Sequence, residues 1–105
     1  MAWVYLGIAG LLEVVWAFAL KQSEGFARPV EGGVAIVAMI ASFVVLALAM
    51  KSLPLGTAYT IWTGIGAIGA FLLGILVLGE AATPLRVVSA GLILAGIVGL
   101  RLASE

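Results

Sequence analysis

Residues 2–20 read AWVYLGIAGLLEVVWAFAL, an unbroken apolar run that carries one charge, Glu13, near its middle. A helix of this length is close to the ~20 residues needed to cross ~30 Å of hydrocarbon. Three further runs of the same kind follow, at residues 33–50, 55–78 and 85–103. The breaks between them hold all three prolines, Pro29, Pro54 and Pro84, and most of the charge, so they read as interfacial loops. The expected fold is an all-α membrane protein, a single four-helix transmembrane domain over residues 1–105. Apolar residues run continuously instead of alternating, and a transmembrane β-barrel needs more strands than this chain can supply.

Composition agrees. Hydrophobic residues make up 65% of the 105 and charged residues only 10%, against about 25% charged in a soluble domain; mean hydropathy is +1.33. Cys and His are absent. Disulfides, thiolate or imidazole metal sites and histidine proton shuttles are thereby excluded, and carboxylates are left to handle protons near neutral pH. No cofactor or metal is expected. Five basic against five acidic residues leave no footprint for nucleic acid. The first segment lacks a basic leader and is interrupted by Glu13, so it is expected to be a retained helix and not a cleaved signal peptide.

Four spans put both termini on one side of the membrane. Lys51 and Arg101 then face Lys21, Arg28 and Arg86 across it. Orientation follows an excess of Lys and Arg in short loops, and two against three is nearly a tie. The chain is therefore expected either to insert in both orientations, which lets two copies meet antiparallel, or to hold one orientation by a weak bias. Four short helices enclose little, so an oligomer is expected in either case. An antiparallel homodimer would do with two chains what inverted repeats do in one, with a binding site near the midplane. On the fourth segment Ser89 and Gly96 lie seven apart on one face, near Gly99, a stripe that suits close helix contact at a dimer interface. Glycine is common in membrane helices, so ordinary packing explains the stripe as well.

A carboxylate near the centre of a membrane helix costs roughly 2.5 to 3.5 kcal/mol on insertion scales and normally marks an ion or proton pathway. Its neighbours on the same face, Gly10 and Ala17, are small and admit another helix or a second Glu13. Counting ~1.5 Å per residue from the side bearing the termini, Glu13 lies ~16 Å deep, Ser42 ~12 Å, Tyr59 ~8 Å and Trp62 ~12 Å. All three partners carry hydrogen-bond donors, and the aromatic faces attract cations. Tyr59 and Trp62 share a helical face with Gly66 and Gly69. Membership of an interfacial aromatic belt is the competing reading for Tyr59 and Trp62, and packing against lipid for Trp16; Trp3 and Tyr5 are boundary anchors by default. The run Gly64, Gly66, Gly69, Gly74 suits either a hinge or close packing. Lys21, Arg28, Lys51, Arg86 and Arg101 read as loop or headgroup anchors.

The segment GLLEVVWAFALKQSEGFAR around Glu13, the pair Ser42 and Phe43, the stretch LPLGTAYTIWTGIGA holding Tyr59 and Trp62, and the glycine-containing fourth run together resemble the small multidrug resistance family over the whole chain. That resemblance implies an antiparallel, dual-topology dimer of four-helix chains with one essential Glu on the first helix, here Glu13, in the bacterial inner membrane. Gly10 and Trp16, three residues either side of Glu13, are similar to the guanidinium-exporting subtype, as is Met39 where quaternary-ammonium exporters carry Tyr. The subtype implies that Trp16, Ser42, Tyr59 and Trp62 organise the two Glu13 carboxylates, and that guanidinium is exchanged for protons. Such a chain is a secondary active transporter and not an enzyme; its partners are guanidinium or small guanidinyl compounds, protons, lipid and a second copy of itself. The chemistry fits independently, because a carboxylate can hold the planar N–H array of guanidinium through paired, charge-assisted bonds. The alternatives are a proton-coupled exporter of quaternary ammonium or other hydrophobic cations on the same fold, a rotary-ring proteolipid, and a non-transporting assembly factor. The proteolipid is normally a two-helix hairpin with its acid on the later helix, unlike this chain.

Overall fold

The computed structural model of the chain describes residues 1–103, with four helices: α1 (Ala2–Gln22), α2 (Pro29–Ala49), α3 (Leu55–Leu76) and α4 (Pro84–Ala103). All four are long and apolar enough to cross a membrane. Their ends do not coincide with the ends of the apolar runs, because hydropathy marks the hydrocarbon while backbone capping decides where a helix stops. α1 continues through Lys21, a cation favourably placed in its last turn. It ends on Ser23, whose Oγ donates to the Leu20 carbonyl (2.7 Å) and accepts the Phe26 amide (3.1 Å). Glu24, Gly25 and Phe26 then take positive φ, turning the chain tightly. α2 starts at Pro29, whose fixed φ and missing N–H suit a first helical position, with Glu31 in the same turn. α3 closes before the end of its apolar run, where Gly79 at φ 72° lets the chain leave. α4 starts at Pro84, with Thr83 Oγ1 accepting the Arg86 amide at 3.3 Å.

α1 is the central helix. It packs along α2 and α3, which meet each other only sparingly, while α4 packs its backbone against α3 and reaches α1 through Arg101 over the Trp3 ring. Toward α1, α2 turns Gly32, Ala35, Ala38, Ser42, Leu46 and Ala49, a buried stripe at helical spacing in which all but Leu46 are small. In lipid, helices associate by close van der Waals packing, and small residues allow that approach. The tightest core, Leu6, Ala9, Leu46, Ala49, Ala58, Ile61 and Trp62, lies at the end of the bundle that carries the N-terminus. Toward the opposite end α1 and α3 part around a cleft of about 310 Å³. The whole is a slab, 42 × 35 × 16 Å, little thicker than one helix with its side chains, ~10–12 Å. No residue of α4 is buried.

The four glycines of the run on α3 are packing surfaces within an unbroken helix. A Cβ at Gly64 would collide with Ile97, at Gly66 with Glu13, at Gly69 with Val14 and at Gly74 with Glu80. Gly69→Ala is therefore expected to destabilise the protein by about 1–3 kcal/mol, the usual cost of overpacking. Gly33→Ala, where an added Cβ meets nothing within 4 Å, should stay within about 0.5 kcal/mol of the parent or gain slightly. The midpoints of SDS-induced unfolding in mixed micelles test this; equal midpoints for the two variants would mean that α1 does not rest on Gly69.

Candidate functional site

Glu13 projects from the middle of α1 onto α3 at Gly66. A Cβ at this position would overlap the carboxyl group and oblige the Glu13 side chain to move. By the same ~1.5 Å count, Gly66 on α3 lies ~18 Å deep, within ~2 Å of the level of Glu13. The carboxylate is thus seated against bare helix backbone. Its Oε1 is buried and has no hydrogen-bond partner, and the same holds for Nε1 of Trp16, one turn further along α1. A buried acceptor and a buried donor left open three residues apart are rare enough in a folded protein to mark a place where a ligand belongs.

Ser42 and Trp62 are tied to each other. Ser42 Oγ donates to the Ala9 carbonyl at 2.8 Å and accepts from Trp62 Nε1 at 3.0 Å, both within the buried interior. Ala9 is four residues before Glu13, and its carbonyl is the one that takes the Glu13 amide in the α-helical pattern. The chain Trp62 to Ser42 to Ala9 therefore pins the helical turn from which Glu13 projects. It does not contact the carboxylate itself, although depth counting alone matched Ser42, Tyr59 and Trp62 to Glu13. The finer count explains the outcome: Ala9 lies ~11 Å deep and Ser42 and Trp62 ~12 Å, one turn nearer the terminal side than Glu13.

The rings form a second continuous feature. Trp16 meets Phe43 edge-on at 6.5 Å between centroids, Phe43 meets Trp62 at 5.8 Å, and Trp62 meets Tyr59 at 5.5 Å. This ladder links α1, α2 and α3 on the face where Tyr59 is 52% exposed. Phe43 is the rung that depth counting passed over, because it carries no polar atom; its signal was its place beside Ser42. Gly10 lies away from the carboxylate, against Ile65, where a Cβ would force that side chain to move. Ser89 and Gly96 are both exposed on α4. Ser89 Oγ bonds back to the Leu85 carbonyl at 2.7 Å, and an added Cβ at Gly96 meets nothing. Their face is open.

Among the described residues no group of three or more His, Cys, Asp or Glu could hold a metal ion. One carboxylate bordered by aromatic faces suits a monovalent organic cation with N–H donors, or a proton. The Ser42–Trp62 bond should show in a double-mutant cycle. Ser42→Ala and Trp62→Phe are expected to couple by about 0.6 kcal/mol, the average for hydrogen bonds between membrane helices, and by no more than about 1.7 kcal/mol. The stabilities of both single variants and the double variant check this, and additive effects would rule the bond out as a stabilising contact.

Comparison with known proteins agrees with this picture. The family model described as Small Multidrug Resistance protein matches residues 1–93. A guanidinium exporter of Yersinia pseudotuberculosis is 62% identical over 104 residues, covering 99% of this chain and all of that protein. The guanidinium exporters of Salmonella typhimurium strain LT2 and Citrobacter freundii are 58% and 57% identical over 105 residues, the full length of both partners in each case. With four membrane-length helices, a family match across most of its length and relatives this similar from end to end, the chain belongs to the small multidrug resistance family and is a multi-pass protein of the bacterial inner membrane.

Proposed function

We propose that this protein exports guanidinium and small guanidinyl compounds in exchange for protons, and that its working unit is an antiparallel homodimer in which two Glu13 carboxylates share one site. The observation that carries the reading is the buried, unpartnered Oε1 of Glu13. A carboxylate held in an apolar slab demands either a proton or a cation that brings its own donors. Guanidinium is planar and rich in N–H, so it can bind a carboxylate with two parallel bonds, and the nearby rings can cover its face. The full-length relatives carry the name guanidinium exporter, which supports the same cation here.

The dimer is supported by shape and depth. A slab 16 Å thick cannot enclose a substrate pathway by itself, and α4 buries none of its residues fully. Glu13 stands ~16 Å from one side of a ~30 Å hydrocarbon layer, so inverting a second copy brings its Glu13 to nearly the same depth. Two copies in opposite orientation thereby complete one midplane site, with Ser89 and Gly96 on α4 as the contact stripe. Gly10 gives α1 the room to sit close to α3, Trp16 offers the open donor, and Ser42, Trp62 and Tyr59 hold the turn and the aromatic wall.

Antiport follows from exclusion. Protons and guanidinium bind the same carboxylates, so the dimer changes sides carrying one or the other. Guanidinium entering a protonated site releases protons, and raising the proton concentration weakens guanidinium binding. Glu13→Gln is expected to abolish proton release on substrate addition and guanidinium flux in proteoliposomes while the dimer still assembles; coupled flux by that variant would falsify the mechanism.

Trp16 tests the choice of cation. Trp16→Gly is expected to weaken guanidinium transport and alter the ranking of guanidinium, guanylurea and tetraalkylammonium ions in proton-coupled uptake. An unchanged ranking would remove Trp16 from selectivity. Tetraalkylammonium uptake without guanidinium uptake by the parent protein would select the quaternary-ammonium reading instead.

A further inference from the structure

A second carboxylate is seated on a glycine of α3. Glu80, in the loop between α3 and α4, lies across Gly74, where a Cβ would collide with the carboxyl group. Its amide donates to the Gly74 carbonyl at 2.9 Å. What sits on that carboxylate is itself a guanidinium: Arg86 Nη2 lies 3.5 Å from Glu80 Oε1. Arg86 Nη1 donates to the Ala81 carbonyl, and its Cζ stands 5.2 Å from the centroid of the Phe71 ring. An anion, a carbonyl acceptor and an aromatic face together satisfy the charge, the N–H donors and the flat surface of a guanidinium group.

This cluster borders the α1–α3 cleft of about 310 Å³, whose walls include Ala17, Phe18, Lys21, Phe71, Gly74 and Glu80. Ala17 is one helical turn from Glu13, so the cleft runs from the loop end of the bundle toward the buried carboxylate. We propose that Glu80, the Ala81 carbonyl and the Phe71 ring form an outer binding site for a guanidinium cation at the mouth of this cleft, and that Arg86 occupies it as a tethered competitor. A side chain held this close presents itself at an effective concentration on the order of millimolar, so free guanidinium displaces it only at comparable concentration. Lys21 on the cleft wall adds a like charge, which keeps occupancy brief. The site is a claim about binding and does not depend on whether Glu13 carries the cation across the membrane.

The test uses the full chain in detergent with Glu13→Gln, which removes the inner carboxylate, and radiolabelled guanidinium below millimolar concentration. Adding Arg86→Ala is expected to increase bound label by about twofold or more, since the gain is one plus the ratio of the competitor's effective concentration to the dissociation constant of the site, both on the order of millimolar. Adding Glu80→Gln to that double variant should abolish the gain, and tetramethylammonium, which has no N–H donors, should not compete. No gain from Arg86→Ala, or a gain that survives Glu80→Gln, overturns the proposal. A second measurement leaves Arg86 in place: in Glu13→Gln, millimolar guanidinium is expected to shift the Arg86 Nε–H resonance and tetramethylammonium is not. An unmoved resonance overturns the proposal equally. Flux through Glu13→Gln, by contrast, bears only on the export mechanism.

Discussion

The glycine face of α3 is the feature on which the remainder of the molecule depends. Gly66 and Gly69 let α1 lie directly on α3 backbone, with Glu13 and Val14 filling the places that Cβ atoms would take, and Gly64 receives Ile97 from α4. In a bilayer no water-driven collapse pushes helices together, so contact of this kind is the main source of cohesion. It carries a cost of about 1 kcal/mol per glycine relative to alanine in helix propensity. Since the backbone of α4 approaches only that of α3, and α1 reaches α2 along a separate stripe of small residues, α3 is the main element through which α4 is joined to the bundle, with Arg101 over Trp3 as a side-chain link to α1.

The seat at Gly66 also sets the chemistry. A carboxylate pressed against helix backbone cannot be hydrated from that side, and the backbone amides beneath it are already engaged in the helix. Its Oε1 is left with nothing to accept from. Among the described residues the other buried polar side chains have partners: Ser23 is bonded within its turn, and Ser42 both donates and accepts. The exception at Glu13 and Trp16 is therefore local. It coincides with the midplane depth at which an inverted second copy would bring up a matching group, and that coincidence is why the proposed dimer and the proposed substrate support each other.

Much of this was legible in the residues. Four spans, the singular position of Glu13 and the layer containing Ser42 and Trp62 all follow from run length and depth, because a membrane helix advances at a fixed rise across a slab of fixed thickness. What depth cannot supply is azimuth. Ser42 and Glu13 differ by only ~4 Å in depth, yet the hydroxyl turns to the Ala9 carbonyl, which a count of side chains alone does not register as an acceptor. Phe43 was invisible as a site residue because its contribution is a ring edge. Gly66 was read as part of a smooth face, and the absence of a side chain gave no hint that a carboxylate would occupy the space. The loop ends were missed for another reason: Pro29 and Ser23 act through backbone geometry, which hydropathy does not sense.

Guanidinium groups and aromatic rings also hold the molecule together. α4 buries no residue, but near its start Arg86 lies over Phe71 and near its end Arg101 lies over Trp3, 4.4 Å from the ring centroid. Contacts of that type at exposed positions are worth about 0.5–1 kcal/mol, and an exposed ion pair such as Arg86 with Glu80 adds about the same at most. A protein that handles free guanidinium with the same chemistry must keep the two uses apart, and burial is the means. A carboxylate at mid-membrane depth with a buried, unpartnered oxygen gains more from a cation than one at the loop end that is half-exposed and already paired. On the proposed readings of the two carboxylates, guanidinium binding would be weaker at the mouth of the cleft than at Glu13.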